Sequence, residues 1–129
     1  MYYIFLEKRN SIKSEEINHS RTGFLIKRAR NRGLGALVHM IFGTPWQNRR
    51  IVLNQDDSTL KYYDGKIYKD TVTLNGMFAR HVPPSMINNR KNTFCVYDAD
   101  NEEVVMLTAA TNDDMNEWIE AINHVAGKY

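Results

Sequence analysis

The sequence predicts a mainly β protein: about seven short antiparallel strands curled into a barrel, with one α-helix at the C-terminal end. Two observations carry this prediction. From residue 23 to residue 108, short runs rich in β-branched and aromatic residues are separated by turn residues such as Asp-Gly and Asn-Gly. After residue 111 the apolar residues take up helical spacing. An antiparallel sheet of this size must curl or stack to hide its apolar face, and the helix can cover its open end.

Length and composition indicate one globular domain. The chain has 129 residues, 43% of them hydrophobic and 25% charged, which excludes wholesale disorder. Its single cysteine, Cys95, excludes an intrachain disulfide and predicts an intracellular protein. No apolar run approaches the ~20 residues of a membrane helix, and the apolar run at 2–6 lacks the preceding basic residues of a secretory signal. Residues 1–20 are expected to form an N-terminal flank, and residues 21–129 the domain.

Seven runs are predicted as strands, at 23–27, 50–53, 59–63, 71–74, 78–82, 93–97 and 104–108. The polar turn Asn54 to Ser58 joins the second and third runs into a hairpin, and residues 98–102 do the same for the last two. Asp64-Gly65 marks a further turn, and Pro83-Pro84 ends the fifth run.

The last segment is predicted as an amphipathic helix. Its apolar stripe consists of Met115, Trp118, Ile119, Ile122 and Val125. Thr111 or Asn112 can cap the first turn, and Gly127 can end the helix. Trp118 is expected to be the largest side chain that the helix inserts into the barrel.

Charge is distributed unevenly along the chain. Residues 1–54 contain ten Lys and Arg against three Asp and Glu, whereas residues 55–129 contain seven against twelve. The formal net charge of +2 therefore hides a basic half, which can face an anionic membrane, nucleic acid or phosphate ligand. A solvated loop with scattered arginines is the alternative that charge alone leaves open.

The order of motifs resembles the pleckstrin homology (PH) domain family over residues 21 to 126. Gly23-Phe24-Leu25-Ile26-Lys27 looks like the opening Gly-x-Leu-x-Lys of the family. Trp46-Gln47-Asn48-Arg49, with Leu53 four residues on, looks like its Trp-x-x-Arg-x-x-x-Leu. Residues 58–63, 92–96 and the Trp118 helix fit its third strand, sixth strand and closing helix. The resemblance implies a seven-stranded, strongly bent barrel capped by that helix, and a membrane-targeting or scaffolding module rather than an enzyme.

Basic residues around the first loop form the candidate site. If the first two strands pair, Lys27 and Arg49 lie close together at the loop mouth, where converging cations can hold a lipid phosphate. The resemblance implies that these two residues, with Tyr62, contact the phosphate. Gln47 stands where the phosphoinositide pattern of the family has a basic residue. The adjacent arginines Arg28, Arg30 and Arg32 are expected to assist.

An apolar stretch follows these arginines within the same loop. Its large apolar residues are Leu34, Leu37, Val38, Met40, Ile41 and Phe42. Because loops run over the surface, these side chains need burial somewhere. They can fold back over the domain, dock a protein, or enter a bilayer while the arginines meet the headgroups. Membrane insertion is the interpretation that we prefer, since apolar residues beside basic ones suit the membrane interface.

The loop 31–35 and the lead-in 15–18 also resemble the acylated PH-domain proteins of apicomplexan parasites. That resemblance implies a phosphatidic acid sensor in regulated exocytosis, at the cytosolic face of a secretory organelle. The chain departs from it at the N-terminus, where Tyr2 follows Met1 and a myristoylation signal requires glycine.

The sequence therefore predicts a cytoplasmic, peripheral membrane-binding module for anionic phospholipid, with phosphatidic acid as the preferred lipid. A PH-like protein-interaction module and a phosphoinositide-binding PH domain remain as alternatives. Neither catalysis nor a cofactor is expected, and the four histidines lack the spacing of a metal site. Nucleic acid is not an expected partner, because no exposed aromatic platform is evident.

Overall fold

The computed structural model describes residues 17–29 and 45–127. Arg30, Arg32 and the apolar stretch 34–42 of the sequence prediction lie outside the described residues. Within these two segments, seven strands, one short 3-10 helix at Pro84–Met86 and one α-helix follow one another. The strands are β1 Arg21–Arg28, β2 Trp46–Asn54, β3 Thr59–Asp64, β4 Ile67–Thr73, β5 Phe78–His81, β6 Thr93–Tyr97 and β7 Glu103–Thr108, and the helix is α1 Asn112–Ala126.

All seven strands belong to one antiparallel sheet in the order β4-β3-β2-β1-β7-β6-β5. Strand β1 pairs with β2 along its whole length, from Arg21 opposite Leu53 to Arg28 opposite Trp46. It pairs with β7 only near its C-terminal end, at Ile26 and Lys27. Strand β1 therefore belongs to both halves of a bent sheet, and the predicted seven-stranded barrel with its C-terminal helix is confirmed.

Helix α1 covers the interior of the sheet with the predicted apolar stripe. Trp118 is 1% exposed and lies over Gly23 of β1, where a Cβ atom would come within 3.1 Å of the indole Cζ2. The side chain of Thr111 accepts a hydrogen bond from the Asp114 backbone N–H, so Thr111 is the N-cap. Gly127 ends the helix at φ 84°, a left-handed conformation that glycine adopts without steric cost.

The two faces of strands β1 to β3 differ sharply. On the inner face, which packs against α1, the buried side chains include Leu25, Ile51, Leu53, Leu60 and Tyr62. Because successive side chains alternate between faces, Lys27 shares the inner face with Leu25, and Arg28 lies on the outer face. The apolar core therefore ends, at one end of β1, in a lysine.

The β3–β4 hairpin differs from the sequence prediction. A strand was expected over 71–74, but β4 begins at Ile67, directly after the Asp64-Gly65 turn. Gly65 has φ 61°, and this lets the chain reverse within two residues. Residues 67–70 are polar or exposed, so their composition does not indicate a strand. These residues form a strand because they pair with β3.

Candidate functional site

Lys27 is positioned by the end of β1 and is buried to an unusual degree for a lysine, at 8% exposure. Its Nζ lies 4.8 Å from the centroid of the Tyr62 ring, a cation–π contact, and donates to the carbonyl oxygen of Arg28 at 3.3 Å. The side chain therefore holds its charge at the border between the apolar interior and solvent. Across the strand pair, its backbone partner is Gln47.

Arg49 lies on β2 opposite Leu25, which places it on the same inner face one step away from Lys27. Its guanidinium donates to the carbonyl oxygen of Asn48 at 2.7 Å and to Gln47 Oε1 at 2.9 Å. It also lies 3.9 Å from Asp64 Oδ1. These contacts fix the orientation of a planar donor group next to Lys27, as the sequence predicted for paired first and second strands.

Tyr62, on β3, contacts Lys27 through its ring and Asp70 of β4 through its hydroxyl. Its hydroxyl donates to Asp70 Oδ2 at 3.2 Å, and Asp70 Oδ1 accepts from the Thr71 backbone N–H at 2.8 Å. The β3–β4 register shifts at this point: Tyr62 pairs with Asp70 and Tyr63 with Tyr68, so Lys69 is an extra, unpaired residue of a β-bulge.

These side chains surround one open hollow of about 250 Å³, which we call the Lys27 hollow. Its lining consists of Lys27, Ala29, Gln47, Arg49, Tyr62, Lys69 and Asp70. Three cations and one carboxylate face the same space, so the hollow carries a net positive charge and can bind an anion with charge-assisted hydrogen bonds.

The structure thus brings together three of the predicted site residues, namely Lys27, Arg49 and Tyr62. Sequence reasoning missed Lys69 and Asp70. Both reach the hollow through the bulge in β4, and a bulge has no signal in a single sequence. In the sequence, the two residues lie within 67–70, the part of β4 whose composition does not indicate a strand.

Arg28 is a predicted site residue that the structure places elsewhere. It lies on the outer face of β1, where its guanidinium donates to both carboxylate oxygens of Glu103 at 2.6 Å. A second, smaller hollow beside it is lined by Trp46, Met86, Ile87 and Asn88. Arg28 therefore does not share the Lys27 hollow with Lys27 and Arg49.

Other site chemistries find no support among the described residues. Within 17–29 and 45–127, no three His, Cys, Asp or Glu side chains are grouped to hold a metal ion. Cys95 is fully buried, and burial raises the pKa of its thiol to about 11, which is the opposite of what a nucleophile needs. None of the helices in the described segments is long and apolar enough to cross a membrane.

Comparison with known proteins agrees with this architecture. A family model described as "PH domain" matches residues 19–127. The C-terminal PH domain of human pleckstrin is 26% identical, with 98% of this chain and 97% of that chain covered and a TM-score of 0.64. The same pleckstrin domain has been crystallised with D-myo-Ins(1,2,3,4,5)P5, at 26% identity, coverages of 82% and 96%, and a TM-score of 0.63.

A more distant structure shares the fold alone. The PH domain of ArhGAP27 is 18% identical, with 83% of this chain and 98% of that chain covered and a TM-score of 0.61. A search of curated proteins with the sequence returns no match. The family of the chain is therefore established by the family model and the fold, and its ligand must be argued from its own residues.

Proposed function

Because this chain belongs to the PH domain family, whose members are generally binding modules rather than enzymes, we propose that it binds an anionic phospholipid at a membrane surface. Phosphatidic acid is the lipid that we assign to it. The Lys27 hollow receives the headgroup phosphate, and the domain sits peripherally on the cytosolic face of a membrane. The closer resemblance of the loop 31–35 and the lead-in 15–18 suggests a secretory organelle as that membrane.

The observation that carries this proposal is the convergence of three cations from three strands on one open hollow. Lys27 comes from β1, Arg49 from β2 and Lys69 from β4. Cations from separate backbones, each held by neighbouring groups, match the several oxygens of one phosphate better than cations along a single loop do. Ordinary solvation of strand ends does not require a lysine buried against a tyrosine ring.

Apolar groups near the hollow favour a membrane over a soluble anion as the source of this phosphate. Ile67, at the β3–β4 turn, is 66% exposed, and its partner in the strand pair is Asp64, which contacts Arg49. The apolar stretch 34–42 and the arginines 30 and 32 belong to the segment that joins β1 to β2. Insertion of apolar side chains contributes about 0.8 kcal/mol per buried CH₂, and each basic residue at an anionic leaflet about 1 kcal/mol.

Phosphatidic acid is favoured because the net positive charge of the hollow is small and because one position of its lining that could hold a basic residue holds glutamine instead. Gln47 occupies the β2 position where a second strand-borne cation would strengthen binding of further phosphates. The monoester phosphate of phosphatidic acid is compact, so Lys27, Arg49 and Lys69 can surround it. Arg28 contributes less, because Glu103 already neutralises it.

The test is co-sedimentation of the purified chain with vesicles of phosphatidylcholine alone, or with phosphatidic acid, phosphatidylserine or a phosphoinositide at matched charge. Replacement of Lys27 and Arg49 together by Gln is expected to weaken binding to phosphatidic acid about tenfold or more. Lys61→Gln with Lys91→Gln, which removes the same charge outside the hollow, is the matched control. Equal loss in both double variants would show that net charge, and not the hollow, holds the lipid.

A phosphoinositide is the second candidate ligand, favoured by the complex of the pleckstrin C-terminal PH domain with an inositol pentakisphosphate. Preferential sedimentation with phosphoinositide vesicles would establish it in place of phosphatidic acid.

Protein binding is the remaining candidate function, and a specific outer-face feature supports it. Phe24 of β1 is 75% exposed, and beside it Arg50 stacks on Tyr63 at 4.4 Å. Tyr68 continues this row with an edge-to-face contact at 5.8 Å. Folded protein that sediments with none of the vesicles would move the assignment to this face.

A further inference from the structure

One carboxylate, Asp70, lines the Lys27 hollow, and a second, Asp64, lies 3.9 Å from the Arg49 guanidinium, although a site for anions gains no affinity from either. We propose that Asp70 and Asp64 limit the headgroup to a single phosphate, so that they act as specificity-determining residues against multiply phosphorylated ligands. This inference rests on the proposed function of the hollow and names the class of headgroup that it accepts.

Of the two carboxylates, Asp70 is the one that faces the hollow directly. It lines the hollow together with Lys69 and receives the Tyr62 hydroxyl on Oδ2 at 3.2 Å. The β-bulge places both side chains there, so one element supplies a cation and a carboxylate to the same space. A phosphate that is held by Lys27 and Arg49 can keep away from Asp70. Further phosphates on the same ring would have to approach it.

Asp64 acts through Arg49. Its Oδ1 lies 3.9 Å from the guanidinium, and its side chain is 59% exposed at the β3–β4 turn. It therefore reduces the positive potential at the rim, where the outer phosphates of a larger headgroup would lie. The three cations of the hollow and the two carboxylates together carry a net formal charge of only +1.

The charge argument is one of specificity rather than of affinity. A monoester phosphate carries about −1.5 to −2 charges near neutral pH, so one such group already exceeds this net charge. Each further phosphate would lie near a carboxylate and would have no additional cation to bind it. Repulsion of this kind is how binding sites reject a competing ligand. If Asp70 served only to orient Tyr62, an uncharged amide side chain at that position could do the same.

This last point separates charge from hydrogen bonding in an experiment. Asparagine at position 70 keeps Oδ1 as the acceptor for the Thr71 N–H and replaces Oδ2 by an NH₂ group, which can donate to the Tyr62 hydroxyl oxygen. Both contacts can then persist while the negative charge is lost. Asp64→Asn removes the second charge at an exposed position, so its effect can be read even if the change at position 70 alters folding. Asp56→Asn with Glu120→Gln removes two negative charges at exposed positions outside the hollow and is the matched control for the double variant.

The measurement is the partition of each protein onto vesicles that contain either phosphatidic acid or phosphatidylinositol bisphosphate at equal total charge. Titration with soluble inositol pentakisphosphate follows in a calorimeter. The double variant Asp64→Asn, Asp70→Asn is expected to raise the ratio of bisphosphate to phosphatidic acid binding about tenfold. The control with Asp56→Asn and Glu120→Gln is expected to leave the ratio unchanged.

Each result bears on one of the two proposals. If wild-type protein binds phosphatidic acid and the Asp64→Asn, Asp70→Asn variant shifts the ratio no more than the matched control does, the specificity role is overturned and the membrane function stands. If wild-type protein binds no anionic vesicle while the double variant binds the pentakisphosphate, the carboxylates do exclude polyphosphates and the phosphatidic acid assignment is overturned. Absence of all binding by both folded proteins overturns both.

Discussion

On the inner face of β1, Leu25 is in the core and Lys27, two residues on, lies against Tyr62. On the outer face of the same strand, Phe24 is exposed and Arg28 pairs with Glu103 of β7. The two faces contain similar residue types, but the inner one directs its cation into a hollow that it shares with two further cations, whereas the outer one pairs its cation with a carboxylate. The comparison shows that the position of a basic residue within the strand alternation, more than the local density of charge, decides whether it can belong to a site.

The largest expected contrast between the faces is in stability. Trp118→Ala removes the side chain that fills the space over Gly23 and is expected to lower the free energy of unfolding by about 3–5 kcal/mol. Phe24→Ala, on the outer face, is expected to change it by no more than about 0.5 kcal/mol. Urea unfolding followed by circular dichroism measures both. Comparable losses in the two variants would show that the outer face is packed in solution.

Gly23→Ala examines the inner face at its tightest point. The added Cβ would lie 3.1 Å from the buried indole of Trp118, and overpacking of this kind typically costs about 1–3 kcal/mol. Because alanine restricts the unfolded chain more than glycine does, we expect a net loss near the lower end of that range. The same urea titration measures it. A variant as stable as the wild type would mean that the indole shifts freely, and that α1 caps the sheet loosely.

The variants Lys27→Gln and Arg28→Gln compare the two faces of β1 in lipid binding. Removal of the inner cation is expected to weaken sedimentation with phosphatidic acid vesicles about fivefold, whereas removal of the outer one is expected to change it less than twofold. The reason is that Glu103 already offsets the charge of Arg28. Thermal unfolding of both variants controls for folding. A larger loss of binding in Arg28→Gln than in Lys27→Gln would indicate that the phosphate binds at the outer face.

Much of the fold could be predicted from the sequence, because its turns and periodicities are local. Strand β6 was predicted at its observed residues, 93–97. Thr111 was one of two candidate N-caps of α1, and Gly127 was predicted to end that helix. Pairing of β1 with β2 was enough to bring Lys27 and Arg49 together. These features depend on neighbouring residues or on one hairpin-like pairing, and a single sequence contains that information.

The rest of the site depends on contacts that a single sequence does not show. Lys69 and Asp70 enter the hollow only because β4 bulges opposite Tyr62, which is a property of the paired strands and not of either run. Arg28 was grouped with Lys27 because the two are adjacent, and its partner Glu103 is 75 residues away. Whether a cation is already neutralised thus depends on the sheet order β2-β1-β7, which the sequence alone did not reveal.

The smallest expected effect concerns the Arg28–Glu103 ion pair itself. Both side chains are partly exposed, at 28% and 42%, so solvent and salt screen the pair despite its two short contacts. A double-mutant cycle with Arg28→Gln and Glu103→Gln is expected to give a coupling energy of about 0.2–1 kcal/mol, which falls as salt is raised. If Glu103 is what keeps Arg28 from acting on lipid, Glu103→Gln alone should strengthen vesicle binding slightly, about twofold, and Arg28→Gln should abolish that gain. No gain from Glu103→Gln would mean that the outer-face position of Arg28, rather than its neutralisation, keeps it from the headgroup.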